Sequence, residues 1–219
     1  MVGLTGKKTN NIDDIISSYT QLERDTMWGP IPGEVVAYDA AAGTATVQPL
    51  YKPVIDGDVM TMPVLYEVPV DLPRTGSSGL TFPIPAGTKV TLTPQMRAMD
   101  DYDEGGEGIA YDARSFHISN MRASISGGNS TSDLLPNVDP DNTHLRFSPD
   151  GSFGVKGSPD GKIAIEGAEG NLYDLLVQVV EILAGETTSV NAGSSAGQWP
   201  LTHQAQFAEL AAKLRGSAL

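Results

Sequence analysis

The tetrapeptide Ser-Pro-Asp-Gly occurs twice, at residues 148–151 and 158–161, so the same turn recurs after ten residues. Proline presets the backbone at the second position of a β-turn, and glycine readily takes the positive φ that such a turn needs near its end. Three short stretches flank these turns, at 145–147, 153–155 and 163–165. Each has an apolar residue at its first and its last position. The repeat therefore predicts a series of short strands joined by tight turns.

Strands of this kind are too small to fold on their own. Full burial of one large apolar side chain contributes about 2–3 kcal/mol, whereas ordering each residue of the backbone costs about 1–2 kcal/mol. Short repeats survive by stacking on neighbours, and the chain contains only a few of them. The missing neighbours are most simply other copies of the same chain, so the repeat predicts an oligomer.

The segment before the repeat has the period-two alternation that is typical of β-strands. Two of its stretches, 44–48 and 89–93, show polar and apolar residues in alternation, and turn residues separate the stretches. Five short strands predict a small closed barrel, such as an OB-type fold, over residues 31–125. The other three predicted strands are 34–38, 61–70 and 79–82.

A helix is predicted for residues 11–27, ahead of the first strand. Asn10 or Asn11 is placed to cap it, and two aspartates occupy its first turn. A single amphipathic helix cannot bury its apolar stripe alone, so it docks on its own domain or on a neighbouring chain. The stripe recurs at helical spacing and consists of Ile12, Ile15, Ile16, Tyr19 and Leu22.

Two further helices are predicted within residues 171–219. Asn171 is placed to cap the first and Thr202 the second, and a polar linker separates them over 186–200. One helical hairpin buries little surface, whereas three copies around an axis would form a six-helix bundle with a core. The first helix has a broad apolar face made of Leu172, Leu175, Leu176, Val179, Ile182 and Leu183.

The formal net charge of -13 limits the partners that the chain can bind. Phosphate backbones repel such a surface, so no nucleic-acid partner is expected. The chain has no cysteine, which excludes disulfides, thiolate metal sites and a cysteine nucleophile. Its 24 glycines and 15 prolines suit a mainly β protein with many turns.

No residue pattern predicts a catalytic, cofactor or metal site. The acidic run of residues 100–107 fits no EF-hand spacing and is interpreted as a solvated loop. His117 lies near Asp112 in sequence, but residues of one segment rarely form a catalytic triad, so a hydrogen-bonded structural histidine is the preferred interpretation. A three-histidine metal site on a symmetry axis, built from His144 or His203, stays open. We expect no enzymatic activity and no cofactor.

Four segments in a fixed order carry a family resemblance. They are Pro-Gly-Glu-Val-Val-Ala-Tyr-Asp at 32–39, Gly-Thr-Ala-Thr-Val-Gln-Pro-Leu at 43–50, and the stretches 83–92 and 114–120. The first three resemble the N-terminal OB-fold domain of phage baseplate spikes, the membrane-puncturing proteins of contractile tails, and the fourth is similar to the segment after that barrel. The Ser-Pro-Asp-Gly repeats resemble the intertwined trimeric β-prism or β-helix of the spike shaft.

This resemblance implies a homotrimeric central spike that caps the tail tube below the baseplate hub and leads penetration of the bacterial cell envelope. The implied parts beside the barrel are a docking helix (1–30), a linker (126–143), a trimeric β-prism shaft (144–170) and a C-terminal helical hairpin (171–219). The resemblance also implies a place in the virion after assembly in the host cytoplasm, and transient contact with the bacterial outer membrane.

Two sets of residues receive assembly roles under this interpretation. The docking helix is expected to bind the hub protein, and the shaft is expected to close around an apolar trimer core. The hub-docking residues are Ile12, Ile15, Ile16 and Tyr19, and the trimer-core residues are Phe147, Phe153, Val155, Ile163 and Ile165.

The chain departs from the family at its distal end. Spikes that pierce the membrane often end in a His-x-His iron site, and this chain contains no such pair among His117, His144 and His203. The helical hairpin therefore caps the shaft or holds a separate tip protein. Two alternatives stay open for the whole chain: a baseplate adaptor or receptor-binding module without a puncturing role, and a cell-wall hydrolase.

Overall fold

The computed structural model describes residues 11–55 and 57–218, which divide into two compact units between Asp133 and Leu134. Residues 1–10, which include the predicted Asn10 cap and the start of the predicted docking segment, lie outside the described residues. The elements of the first unit are α1 (Ile12–Thr26), β1 (Ile31–Asp39), β2 (Thr44–Pro49), β3 (Val54–Ile55), β4 (Asp58–Val59), β5 (Leu65–Asp71), β6 (Arg74–Thr75), β7 (Ser78–Gly79), β8 (Lys89–Pro94), α2 (Asp100–Asp103) and β9 (Met121–Ser124).

Five strands of the first unit form a closed barrel in the order β1-β2-β5-β9-β8, and β8 pairs back onto β1. Neighbouring strands are antiparallel except β5 and β9, which run parallel with Val70 opposite Ala123. This closed five-stranded barrel is OB-like. The prediction of a mainly β chain with a small closed barrel is confirmed.

Alternation along each strand builds the barrel core. In β2 every second residue is buried, and β8 repeats the pattern. Gly33 of β1 packs directly against this core. A Cβ atom added there would lie 2.7 Å from Val47 Cγ1 and 2.9 Å from Leu92 Cδ1, so the position has no room for a side chain. The buried core consists of Val35, Ala45, Val47, Val68, Val90, Leu92, Met121 and Ala123.

The predicted fourth barrel strand at 79–82 is wrong. The chain there closes a local two-stranded ribbon, in which the Leu80 N–H donates to the Pro73 carbonyl at 2.9 Å, and Leu80 and Phe82 stay exposed. The fifth strand of the barrel is β9 instead, because Met121 and Ala123 alternate into the core. Strand β9 has only four residues, with an arginine and a serine at the outward positions. Its sequence pattern is therefore weaker than that of Leu80 and Phe82, which do not join the barrel.

The second unit begins with a short meander of antiparallel strands in the order β10-β11-β12-β13. The predicted polar linker over 186–200 forms a second small sheet, in which Thr188 pairs with Trp199. The elements are β10 (Thr143–Arg146), β11 (Gly154–Gly157), β12 (Ile163–Gly167), β13 (Gly170–Asn171), α3 (Leu172–Gly185), β14 (Thr187–Val190), β15 (Gly197–Pro200) and α4 (Gln204–Ser217).

Helices α3 and α4 pack on each other in the second unit. Asn171 caps α3 as predicted, because its side chain accepts a hydrogen bond from the Tyr173 N–H at 2.9 Å. The predicted Thr202 cap of α4 is wrong, since His203 is the N-cap residue and makes no capping hydrogen bond with its side chain. No helix among the described residues is long and apolar enough to cross a membrane.

Candidate assembly surfaces

The meander of the second unit collects the predicted trimer-core residues on one face. Its register places Leu145 of β10 opposite Val155 of β11, and Val155 opposite Ile165 of β12. Because side chains alternate along a strand, residues in register and two positions apart point to the same side. We call this side of the sheet the meander face. It consists of Leu145, Phe147, Phe153, Val155, Ile163 and Ile165.

The described residues of the chain leave most of the meander face open. Phe147, Phe153, Ile163 and Ile165 are 38% to 68% exposed, whereas Ala164, which points to the opposite side of β12, is 1% exposed. The sheet therefore presents its large apolar side chains to the outside, whereas the opposite side combines the buried Ala164 with the half-buried His144 and Lys156. Contiguous apolar patches of this kind mark interaction surfaces. The five predicted trimer-core residues are thus brought together, and Leu145 is an addition to them.

The two Ser-Pro-Asp-Gly turns share one hydrogen-bond pattern. In each turn the glycine N–H donates to the serine carbonyl at 3.1 Å, and Gly151 and Gly161 have φ of +76° and +86°. The serine hydroxyl oxygen then accepts from the chain that leaves the turn: Ser148 Oγ from the Phe153 N–H at 3.0 Å, and Ser158 Oγ from the Lys162 N–H at 3.2 Å. The repeated tetrapeptide therefore fixes both the turn and the start of the next stretch.

The aspartate of each turn is held in its ionised form. Hydrogen bonds from Ser148, and then from the N–H and hydroxyl of Ser152, lower the pKa of Asp150 to about 2. The hydroxyl of Ser158 likewise donates to the Asp160 carboxylate and lowers its pKa. Hydrogen bonds to the charged form of a carboxyl group favour that form. Both turns are therefore built for a carboxylate at neutral pH.

Helix α1 presents the predicted hub-docking residues on an uncovered stripe. The side chain of Asn11 caps the helix by accepting from the Asp13 N–H at 3.2 Å, which confirms one of the two predicted caps. The stripe residues Ile12, Ile15, Ile16, Tyr19 and Leu22 are 44% to 70% exposed. No described residue of α1 is buried. The helix is formed by local signals, and its apolar side is available to a partner.

The acidic run of residues 100–107 is tied to two arginines. Arg114 pairs with Asp100 and, at 2.7 Å, with Asp112, while Arg122 pairs with Asp103 and, at 2.8 Å, with Asp71 at the end of β5. The pKa of Arg122 is raised, foremost by its hydrogen bonds to Asp71.

The solvated-loop interpretation therefore missed a structural role for part of this run. The carboxylate of Asp101 also accepts from the N–H groups of Gly108 and Ile109 at 2.8 and 2.9 Å. The nearby arginines were the sequence signal that could have pointed to this. Within residues 11–55 and 57–218, no three acidic or histidine side chains are grouped so that they could hold a metal ion.

The geometry around His117 is that of a structural histidine. Its Nδ1 lies 2.8 Å from Ser119 Oγ and accepts from the Ser119 N–H at 3.1 Å. Ser115, the nearest serine before it, instead accepts a hydrogen bond from Arg97 at 3.2 Å. His117 and Ser115 are therefore engaged with different partners, as the preferred interpretation expected for His117.

The barrel, with its acidic loop and the ion pairs of Arg114 and Arg122, matches a known protein family. Residues 31–126 match the family model of the phage protein Gp138 N-terminal domain. The match begins with β1 and ends two residues after β9, so it spans the whole closed barrel. No curated protein matches the chain.

The Gp138 N-terminal domain match covers less than half of the 219 residues, and the second unit lies outside it. It supports a phage structural protein, and with it a place in the virion. The expected resemblance to a phage structural family is thereby borne out at this level.

Proposed function

We propose that the chain is the central spike of a contractile phage tail baseplate and acts as a homotrimer. The observation that carries the proposal is the meander face, which sets six large apolar side chains on one side of a small sheet and leaves all of them exposed except the half-buried Val155. Three copies that turn these faces inward would bury them around a common axis. The match of residues 31–126 to a phage protein domain supports this assignment.

The spike caps the tail tube below the hub in this proposal. Helix α1 attaches the spike to the hub, because the stripe of Ile12, Ile15, Ile16 and Tyr19 binds the hub protein through its exposed apolar surface. The second unit ends as a cap of the shaft or as a holder for a separate tip protein, and it contacts the bacterial outer membrane only in passing.

The action proposed for the spike is mechanical. Contraction of the sheath drives the tube, and the trimer leads it into the envelope without cleaving a bond. The described residues support this by the engagement of His117 and of the acidic run in structural hydrogen bonds and ion pairs. Release of fragments from purified peptidoglycan by the purified chain would overturn the non-catalytic part of the proposal.

The native mass of the purified chain tests the proposal. Light scattering on a sizing column is expected to give three times the chain mass of 23.1 kDa. Ile163→Asp places a charge in the meander face and is expected to give monomers. Ala168→Asp adds the same charge in the exposed turn after β12 and is expected to leave the trimer intact. A monomeric wild type, or a trimeric Ile163→Asp variant with unchanged circular dichroism, contradicts the shaft.

A baseplate adaptor or receptor-binding module is the second candidate. The observation in its favour lies on the barrel, where a register shift between β2 and β5 leaves Tyr66 74% exposed and Glu67 at a φ of +54°. An exposed aromatic ring beside a carboxylate is a surface that a protein or sugar can bind. Binding to host cells that is lost in Tyr66→Ala, with normal tail assembly, would favour this candidate over the spike.

A further inference from the structure

Helix α3 has three distinct sides along its length. At about 100° per residue, its side chains fall into three sectors around the helix axis. One sector carries Tyr173, Val177, Val180 and Ala184, and a second carries the polar residues Asp174, Gln178 and Glu181. The third sector, called the open sector below, is apolar throughout and consists of Leu172, Leu175, Leu176, Val179, Ile182 and Leu183.

The burial of the three sectors differs. In the first sector Val177 is 3% exposed, and in the facing helix α4 Ala211 is 3% exposed, so this side is where α4 packs. The Glu181 carboxylate of the polar sector pairs with Arg215 of α4 at 2.6 Å, at the margin of that contact. Every residue of the open sector is 39% to 67% exposed. The described residues of the second unit therefore cover one of the two apolar sides of α3 and leave the other open.

The open sector is a large and uniformly apolar patch on the surface of the second unit. Its six side chains together expose on the order of 500 Å², at the upper end of the few hundred Å² that monomers usually show in one patch. A stable interface buries roughly 800 Å² per partner. The open sector supplies more than half of that area in a single helix of 14 residues.

Charge and spacing indicate what covers it. The chain carries a net charge of -13, so copies repel one another wherever charged surfaces meet. The open sector contains no charged residue, and Asp174 and Glu181 lie on the opposite side of the helix. Within the open sector, Leu172, Leu175, Val179 and Ile182 follow the alternating three- and four-residue spacing of a heptad seam.

The chain direction favours identical copies over a different protein. Helix α3 begins directly after β13, which belongs to the same sheet as the meander face. If three sheets share an axis, their α3 helices start at the same level along it and run parallel. Each residue of α3 then lies level with the same residue of the other two copies. A parallel seam in register is the arrangement that a heptad pattern stabilises.

We infer that the open sectors of three α3 helices form a parallel three-helix core, with α4 as an outer layer on each. The occupant of the open sector is thus a second and a third copy of this chain. The inference rests on the proposed homotrimer and adds a separate contact to it. It predicts which residues of α3 meet their counterparts.

Cysteine cross-linking tests the inference in the full chain, because the sequence contains no cysteine of its own. Val179→Cys places a thiol in the centre of the open sector, and Glu181→Cys places one on the polar side only two residues away. Replacement of Glu181 removes an exposed ion pair, and such pairs contribute little to stability. Each variant is sized, treated with a short bis-maleimide and separated on a denaturing gel.

The expected result is a covalent dimer for Val179→Cys, at about twice the 23.1 kDa chain mass, and at least tenfold less of it for Glu181→Cys. If both variants are trimeric but cross-link equally and weakly, the three-helix core is overturned and the proposed trimer stands. The open sector is then expected to bind another protein. Variants and wild type that are all monomeric overturn the proposed trimer as well.

Discussion

The carbonyl oxygen of Leu145 occupies the space that a Cβ atom on Gly154 would need. Gly154 stands next to Val155 in β11, pairs with Arg146 and has a φ of +154°. Strand β10 can therefore approach β11 this closely only where β11 has no side chain. The alignment of Leu145 with Val155, and with it the meander face, depends on this glycine.

Gly154→Ala is expected to destabilise the second unit. Backbone strain of this kind costs about 1–3 kcal/mol, and the clash with a backbone atom adds to it because that atom cannot move aside. Gly157→Ala in the same strand is the control, since a Cβ there meets nothing within 4 Å. Thermal unfolding measured at one protein concentration checks the pair. Equal melting temperatures for the two variants would contradict the role of Gly154.

Gly33→Ala is expected to destabilise the barrel. The added methyl would lie 2.7 Å from Val47 Cγ1, and overpacking of a close-packed core costs about 1–3 kcal/mol. Gly29→Ala, with nothing within 4 Å of its Cβ, is expected to change the free energy of unfolding by less than about 0.5 kcal/mol. Urea unfolding followed by tryptophan fluorescence measures both. A Gly33→Ala variant as stable as wild type would mean that the core relaxes around it.

Asp150 is expected to make the second unit acid-sensitive in a defined window. Its pKa is about 2 in the folded chain, below the ordinary value of 3.8 for an aspartate, so its contribution is present above pH 3.8 and is lost as the pH falls through about 2. Asp150→Asn removes the carboxylate and is expected to lower the melting temperature at pH 6. The difference between wild type and variant is expected to shrink between pH 4 and pH 2. A constant difference across that range would contradict this assignment.

Arg122→Ala is expected to loosen the segment between β8 and β9. The arginine joins Asp71 of β5 to Asp103 of α2, and its side chain is only partly exposed, so both carboxylates lose their partner together. Faster proteolytic cleavage within residues 100–112 is the expected result. Lys213→Ala, which removes an exposed pair with Glu209 far from this segment in sequence, is the control and is expected to leave the cleavage rate unchanged. Equal cleavage rates would mean that other contacts hold the segment.

Ile16→Asp is expected to keep the chain out of assembled tails without changing its native mass. The substitution charges the stripe of α1, which is uncovered in the folded chain, so folding of the barrel is unaffected. Ser17→Asp adds the same charge on the other side of the helix and is expected to be incorporated normally. Immunoblots of purified virions from complemented phage measure this. Normal incorporation of the Ile16→Asp variant into tails would show that the stripe of α1 does not bind the hub.

Local patterns in the sequence determined much of the fold. Period-two alternation predicted four of the five barrel strands, because Val47, Val90 and their neighbours each bury through their own strand. The Ser-Pro-Asp-Gly turns and the cap residues Asn11 and Asn171 were also predictable, since their hydrogen bonds run to residues only a few positions away. The predicted trimer-core residues came from the same local spacing.

The tertiary structure alone decided contacts between distant segments. It selected Met121–Ser124 over residues 79–82 as the fifth barrel strand, because only the closed barrel has a place for Met121 and Ala123. It joined Arg122 to Asp71 across 51 positions, and it covered one apolar side of α3 while leaving the other open. The sequence of a helix with two apolar sides does not show which of the two sides packs against the rest of the chain. The packing of α4 against α3 makes that choice, and so defines the surface left for a partner.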